Sequence, residues 1–265
     1  MTNAVFEDLQ RIRAAAPLVH NITNYVVMNT TANALLCLGA SPVMAHAAEE
    51  VEEMTALAAA LVINLGTLST PWIDSMLRAG RKAVERNLPL VLDPVGAGAT
   101  RFRTETAAML LQEAPPTIVR GNASEILALG QAAQATKGVD ATHRAEQALD
   151  TARALAERIG CVVVVSGATD LVVSREGIVR ILNGHPMMAR VTGLGCTASA
   201  LVAAFAAVNP HPWRAAAHAM AVMGIAGELA AERAAGPGSL QMHFLDALYG
   251  LAESGIDRRL RMEEA

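Results

Sequence analysis

Aromatic residues are scarce: two tryptophans, two tyrosines and four phenylalanines in 265 residues. A core built on large rings is excluded, so Ala, Val and Leu must fill it, and small side chains let helices approach a sheet closely. Cysteine is as rare. Cys37, Cys161 and Cys196 are far apart and odd in number, with no Cys-x-x-Cys pair and no Cys/His spacing for zinc. That excludes a disulfide framework and a structural zinc site and points to a reducing, cytoplasmic setting. There is no basic cluster, and the net charge is −4. Nucleic acid is thereby excluded as the main partner, although a bound nucleotide is not. No apolar run reaches the roughly 20 residues a bilayer requires. Ala198–Val208 is too short, and Ala215–Ala231 is interrupted by His218 and Glu228. Met1–Arg11 is charged and lacks the apolar core of a signal peptide. Linkers, low-complexity tracts and repeats are missing too, so the expectation is one domain over residues 1–265.

What is present alternates. Apolar strand-like runs at Leu18–His20, Pro42–Met44, Ala60–Leu65, Pro89–Leu92, Thr117–Arg120 and Cys161–Val165 are separated by helical patterns. Several runs are continuously apolar, as strands buried on both faces are. The expected fold is α/β: three layers, with a mostly parallel central sheet and helices on both faces. Thr169–Arg175 and Ile178–Asn183 flank Glu176-Gly177 as a hairpin. Asn24 is placed to cap a helix over Tyr25–Leu38, closed by Gly39. Met187–Arg190 reads as extended.

In such a sheet, ligands sit beyond the C-terminal strand ends. Polar residues collect there: Asn24, Asn64, Asp93, Arg120, Asn122 and Ser166. Asp93 precedes Pro94 and a glycine-rich turn, so it is either a turn former or a carboxylate facing a cleft. Glu125, three residues after Asn122, is either the far member of a capping box or a second such carboxylate. Arg120 at a strand end suits a phosphate, and Ser166 before Gly167 either turns the chain or faces the same ligand. Met44 is core or an apolar pocket wall. His20 reads as structural or pocket-lining, and His46 as a further candidate for the cleft wall.

The chain is organised around Val191-Thr192-Gly193-Leu194-Gly195-Cys196-Thr197. Glycines at the mouth of a helix expose backbone N–H groups, and the helix dipole favours an anion there. Gly193, Leu194, Gly195 and Cys196 are therefore the candidate anion hole, with a tight strand-to-helix turn as the alternative. A thiol at that position is lowered by the helix start and raised by a nearby triphosphate. Phosphoryl transfer asks for this set: carboxylates near a divalent cation, a basic group near the phosphates and an amide-lined hole.

Taken together, several segments resemble the hydroxyethylthiazole kinase family of the ribokinase-like superfamily. They are Pro17–Asn24, Leu38–Met44, Asn64–Leu68, Leu92–Ala99, Arg120–Glu125, Lys137–Asp140, Val191–Cys196 and Gly236–Ser239. The resemblance implies a ribokinase-like fold without a lid domain. It implies ATP- and Mg2+-dependent phosphorylation of the primary alcohol of 4-methyl-5-(2-hydroxyethyl)thiazole, in thiamine biosynthesis and salvage. It further implies a homotrimer with active sites between subunits. By position, Arg120 and Ser166 resemble ATP contacts, Met44 and Gly193 thiazole contacts, and Asn24 a neighbour of the alcohol. Asp93 and Glu125 resemble the metal and phosphate carboxylates. Cys196 stands where related kinases carry an aspartate base and this family has cysteine. Leu194 departs from a position that is often small, which would tighten the anion loop or alter the substrate wall.

Three rivals remain. Gly193-x-Gly195-x-x-Ala198 formally matches a dinucleotide fingerprint, but it lies late in the chain, and helices follow it rather than a strand ending in Asp or Glu about 20 residues on. The others are a related pyrimidine-type alcohol kinase and a non-catalytic nucleotide- or thiazole-binding protein on the same fold.

Overall fold

The computed structural model describes residues 2–131 and 141–264. Lys137–Asp140 lies outside the described residues. The strands are β1 (Leu18–Ile22), β2 (Ser41–Val43), β3 (Ala60–Asn64), β4 (Leu90–Asp93), β5 (Ile118–Asn122), β6 (Val162–Ser166), β7 (Asp170–Val173), β8 (Ile178–Ile181) and β9 (Met262–Glu264). The helices are α1 (Thr2–Ala15), α2 (Met28–Leu38), α3 (Val51–Leu57), α4 (Thr70–Glu85), α5 (Arg101–Glu113), α6 (Ala123–Gln131), α7 (Ala141–Ile159), α8 (Leu194–Ala206), α9 (Pro212–Ala231), α10 (Pro237–Gly250) and α11 (Glu253–Arg259).

Every described strand belongs to one sheet, in the order β2-β1-β3-β4-β5-β6-β7-β8-β9. Pairing is parallel from β2 to β6 and antiparallel from β6 to β9. The period-2 alternation of strand side chains divides the core into two layers. Val62, Val91, Ile118 and Val164 pack with α1, α2, α8, α9 and α10 on one face. Leu61, Ile63, Leu92, Val119 and Val163 pack with α4, α5, α6 and α7 on the other. α4 shows why: Trp72, Met76, Ala79 and Ala83 recur at helical spacing and all are buried, while Pro71 occupies its first turn, where a missing N–H costs nothing. No described helix is long and apolar enough to cross a membrane.

Local expectations hold where the physics is local. Gly39 closes α2 with φ +106°, donating to the Leu35 carbonyl at 3.1 Å. The Glu176-Gly177 hairpin joins β7 to β8. Two expectations are corrected, and two features are additions. Asn24 does not cap α2, which begins at Met28; its carboxamide oxygen accepts from Val26 N at 3.2 Å and its amide group turns inward. Pro186–Arg190 is a 3-10 turn, not extended, because Pro186 starts it and His185 Nδ1 accepts from Met187 N at 3.2 Å. The glycine-loop helix begins at Leu194, so Gly195 and Cys196 lie within its first turn. Finally, Met262–Glu264 adds a ninth strand, held by Arg261, which donates to Glu228 at 2.6 Å and to the Leu182 carbonyl at 3.0 Å.

Candidate active site

β1 leads to β2 on one side of the sheet and pairs with β3 on the other, so a topological switch point falls between β1 and β3. Asn24 and Asn64 stand there. Asn24 Nδ2 donates to Asn64 Oδ1 at 2.8 Å and lies 3.5 Å from Cys196 Sγ. Asn64 Nδ2 in turn donates to Asp93 Oδ2 at 2.9 Å. One bonded chain therefore joins the ends of β1, β3 and β4 to the first turn of α8.

Asp93 is fully buried. Its Oδ2 also accepts from Ser199 Oγ at 2.7 Å and stands 3.9 Å from Arg120 Nη1, whereas its Oδ1 has no protein partner. Burial pushes this carboxyl up to about 6, against the lowering effects of the Arg120 charge and the Ser199 bond. The Glu125 charge adds to the rise, which places the second carboxylate within electrostatic reach.

Glu125 closes a capping box and also bonds the loop after β4. Its backbone N–H donates to Asn122 Oδ1 at 3.0 Å and its Oε2 accepts from Asn122 N at 2.9 Å, a reciprocal capping box. Its Oε1 reaches across to Gly96 N at 2.9 Å, in the turn that follows Asp93. The carboxylate is thereby fixed against the β4 loop, with lone pairs to spare.

Arg120 Nη2 donates to Ser166 Oγ at 2.7 Å. Gly195 faces Arg120 so closely that a Cβ would fall 3.0 Å from Nη1. Gly193 takes φ +85° and packs on Val27, where a Cβ would lie 2.5 Å from Cγ1, so only glycine fits. No side chain caps α8. Its first amides, on Leu194, Gly195 and Cys196, have no partner within the helix, as an anion site at a helix start requires. Arg120, Ser166, Leu194 and Gly195 line a cavity of about 570 Å3 with His185, Met188, Met220 and Met223. Leu194 is thus part of that cavity's wall.

The thiol of Cys196 is pushed up, first by burial and then by the Asp93 charge; the Asn64 and Asn24 bonds and the Arg120 charge offset this only in part. The lowering expected of a helix start is outweighed. Met44 follows edge strand β2, half-buried, and no hydrogen bond joins it to the cluster. His20 is buried, bonded to Thr55 Oγ1 and the Ala45 carbonyl, and serves structure. His46 packs tilted against Trp72 with ring centres 4.4 Å apart. Among the described residues no three His, Cys, Asp or Glu side chains cluster as a metal cage.

Sequence reasoning left three participants without a role. Asn64 bonds both Asn24 and Asp93 but was only one polar strand end among several. Ser199 reads as a break in an apolar helix, yet it sits three residues after Cys196, on the same face. Asp170 fixes the Ser166 turn by accepting from Gly167 N at 2.9 Å.

With parallel strands ending in an Asn–Asp–Arg cluster against a glycine-led helix, the chain has the ribokinase-like fold, and its relatives make it a kinase of that fold. Solved structures agree on the fold. A ribokinase-like superfamily protein from Enterococcus faecalis is 16% identical with a TM-score of 0.63, covering 89% of this chain and 87% of that one. The hydroxyethylthiazole kinase protein from Pyrococcus horikoshii is 44% identical with a TM-score of 0.92, covering 99% of both chains. The hydroxyethylthiazole kinase of Syntrophus aciditrophicus is 61% identical over 96% of this chain and 94% of its own. The hydroxyethylthiazole kinase family matches residues 9–254. The chain belongs to that family.

Proposed function

We propose that this protein transfers the γ-phosphoryl group of ATP to the primary alcohol of 4-methyl-5-(2-hydroxyethyl)thiazole, releasing ADP and the thiazole phosphate for thiamine synthesis and salvage. The observation that carries the reading is the continuous bonded chain from Asn24 through Asn64 to Asp93, which Ser199 of α8 also bonds and Arg120 Nη1 approaches to 3.9 Å. It supports a reading in which a polar contact for the alcohol, a carboxylate and a cation for the phosphates meet at one helix mouth.

In this reading the Leu194, Gly195 and Cys196 amides hold the transferring phosphoryl group, and Arg120 with Ser166 holds the nucleotide phosphates. Gly193 and Met44 border the thiazole, and Asn24 orients the alcohol. The alcohol oxygen bonds to the γ-phosphorus as the bond to the ADP oxygen breaks, and the alcohol proton is released. Because Cys196 is held as a thiol, it positions the alcohol rather than abstracting that proton, which a loose transition state tolerates. Asp93 and Glu125 fit Mg2+: the orphaned Oδ1 of Asp93 is a free hard-oxygen ligand, and Glu125 lies within its electrostatic reach. Bound there, the ion would neutralise phosphate charge.

We read residues 1–265 as one kinase domain, acting as a homotrimer with sites between subunits. Tyr25 and Val26, each 65% exposed beside the buried Asn24, support an interface at the site's mouth. A cytoplasmic location accords with three cysteines that form no disulfide.

The test is ADP release coupled to the thiazole alcohol, with pyrimidine alcohols as competitors and native mass measured alongside. Thiazole-dependent turnover is expected. Preference for a pyrimidine alcohol would make the protein a related kinase, and binding without turnover would make it a sensor. Cys196→Asp should retain measurable activity, whereas Cys196→Phe should abolish it in a folded protein; full activity in the Phe variant would remove Cys196 from the site.

A further inference from the structure

Arg103 sits in the first turn of α5, where a positive charge opposes the helix dipole. Its guanidinium turns back toward the sheet instead of into solvent. Nη1 donates to the Leu65 carbonyl and, at 2.7 Å, to the Val95 carbonyl, while Nη2 donates to the Gly66 carbonyl. Three carbonyls from two separate loops end on one planar, multi-donor fork, a task lysine's point charge performs less well.

Each loop carries one half of the proposed site. Gly66 packs against Asn24, where a Cβ would stand 2.4 Å from Cγ and Nδ2, and Gly66 N donates to Asn64 Oδ1 at 3.0 Å. The loop after β4 runs from Val95 to Gly96, whose N–H fixes Glu125. Gly96 has φ +74° and lies on Arg103 itself, with a Cβ there falling 3.0 Å from Arg103 Cδ. Arg120 and Ser166, on the nucleotide side, bond each other through β5 and β6 instead.

We infer that Arg103 is a positioning residue: it locks the loops after β3 and β4 together, holding the alcohol side (Asn24, Asn64) in register with the carboxylate side (Asp93, Glu125). The inference rests on the proposed function for its kinetic consequence, but not for its structural one.

Arg103→Ala and Arg103→Lys test it by kinetics and by amide hydrogen exchange. In the Ala variant kcat should fall about 10- to 100-fold, the size of effect small misplacements produce, with KM for ATP within about threefold. The Mg2+ concentration for half-maximal rate should rise. Lysine should restore part of the rate, and millimolar guanidinium should rescue part of the Ala variant. Amides at 65–67 and 95–98 should exchange faster while those of β5 and β6 keep their protection. Unchanged kcat and metal requirement with unchanged exchange would overturn the inference. So would uniform loosening of the whole fold without guanidinium rescue, which marks a merely structural arginine. If the Ala variant does not fold, the Lys variant is judged on the same readouts. If the wild-type protein leaves the alcohol unphosphorylated, the proposed activity fails, and the exchange comparison still decides the role of Arg103.

Discussion

Among the described residues two aspartates, Asp8 and Asp93, are buried, and they are treated in opposite ways. Asp8, on α1, is 2% exposed and fully partnered. His218 Nδ1 and Asn209 Nδ2 each bond its Oδ2 at 2.6 Å, and Arg11 donates to its Oδ1 at 3.1 Å. Burial raises its carboxyl, but the His218 and Asn209 bonds and the His218 and Arg11 charges outweigh that and leave it below its ordinary value. Asp93 is buried as completely, yet one oxygen is left without a partner and its carboxyl is raised to about 6. A buried charge with every lone pair satisfied ties helices together. A buried charge with an oxygen in reserve is costly and is tolerated where a ligand completes it.

That contrast can be broken by substitution, most severely at Asp93. Asp93→Asn should lower kcat about 1,000-fold or more, as loss of a preorganised charge at a reacting centre does, with little change in melting temperature. A near-normal rate would show that the spare oxygen is idle. Glu125→Gln keeps the capping geometry and removes the charge. It should raise the Mg2+ requirement roughly tenfold with a smaller loss of kcat, read from a magnesium titration at saturating ATP.

A pH profile sharpens the same point. The free protein's Asp93 ionises near 6, so activity that needs the carboxylate should fall as pH drops through that value. A cation binds only the ionised form, so raising Mg2+ should move the acid limb to lower pH, and an immobile limb would separate Asp93 from the metal. For stability the sign reverses. A raised native value means the folded state holds its proton longer than the unfolded state, so Asp93 detracts from stability as pH rises between about 4 and 6.

Asp8 should have the smallest effect on turnover. Asp8→Asn should leave kcat within about twofold but destabilise the fold by about 3 kcal/mol, the cost of breaking a buried charge network. Its depressed native value means the stabilisation is present above the unfolded value near 4 and is lost as pH falls through the native one. Thermal melting from neutral to acid pH, wild type against variant, reads this out. A loss of activity matching that of Asp93→Asn would erase the distinction.

The sequence carried far for local reasons. Continuous apolar strands announced a parallel sheet, because both faces must be covered. Gly39, Gly193 and the Asn122–Glu125 spacing announced caps and turns, because each depends on neighbours a few residues away. Asp93, Arg120 and Cys196 could be nominated from strand ends and a helix mouth. What they bond could not, since Asn24 and Cys196 are 172 residues apart and Ser199 and Asp93 are 106 apart. Arg103 left no trace, as an arginine opening a helix reads as solvated. The ninth strand, Met262–Glu264, is short and polar, and pairing with β8 alone makes it a strand.

By itself, then, the order of residues determined the layering, the glycine-led helix mouth and the types of side chain around it, because backbone sterics and hydrophobic period act over a few residues. Only the tertiary structure decided which carboxylate is satisfied and which is held in reserve. That difference depends on partners brought together from the ends of β1, β3, β4 and β5 and the first turns of α8, and on how completely they exclude water.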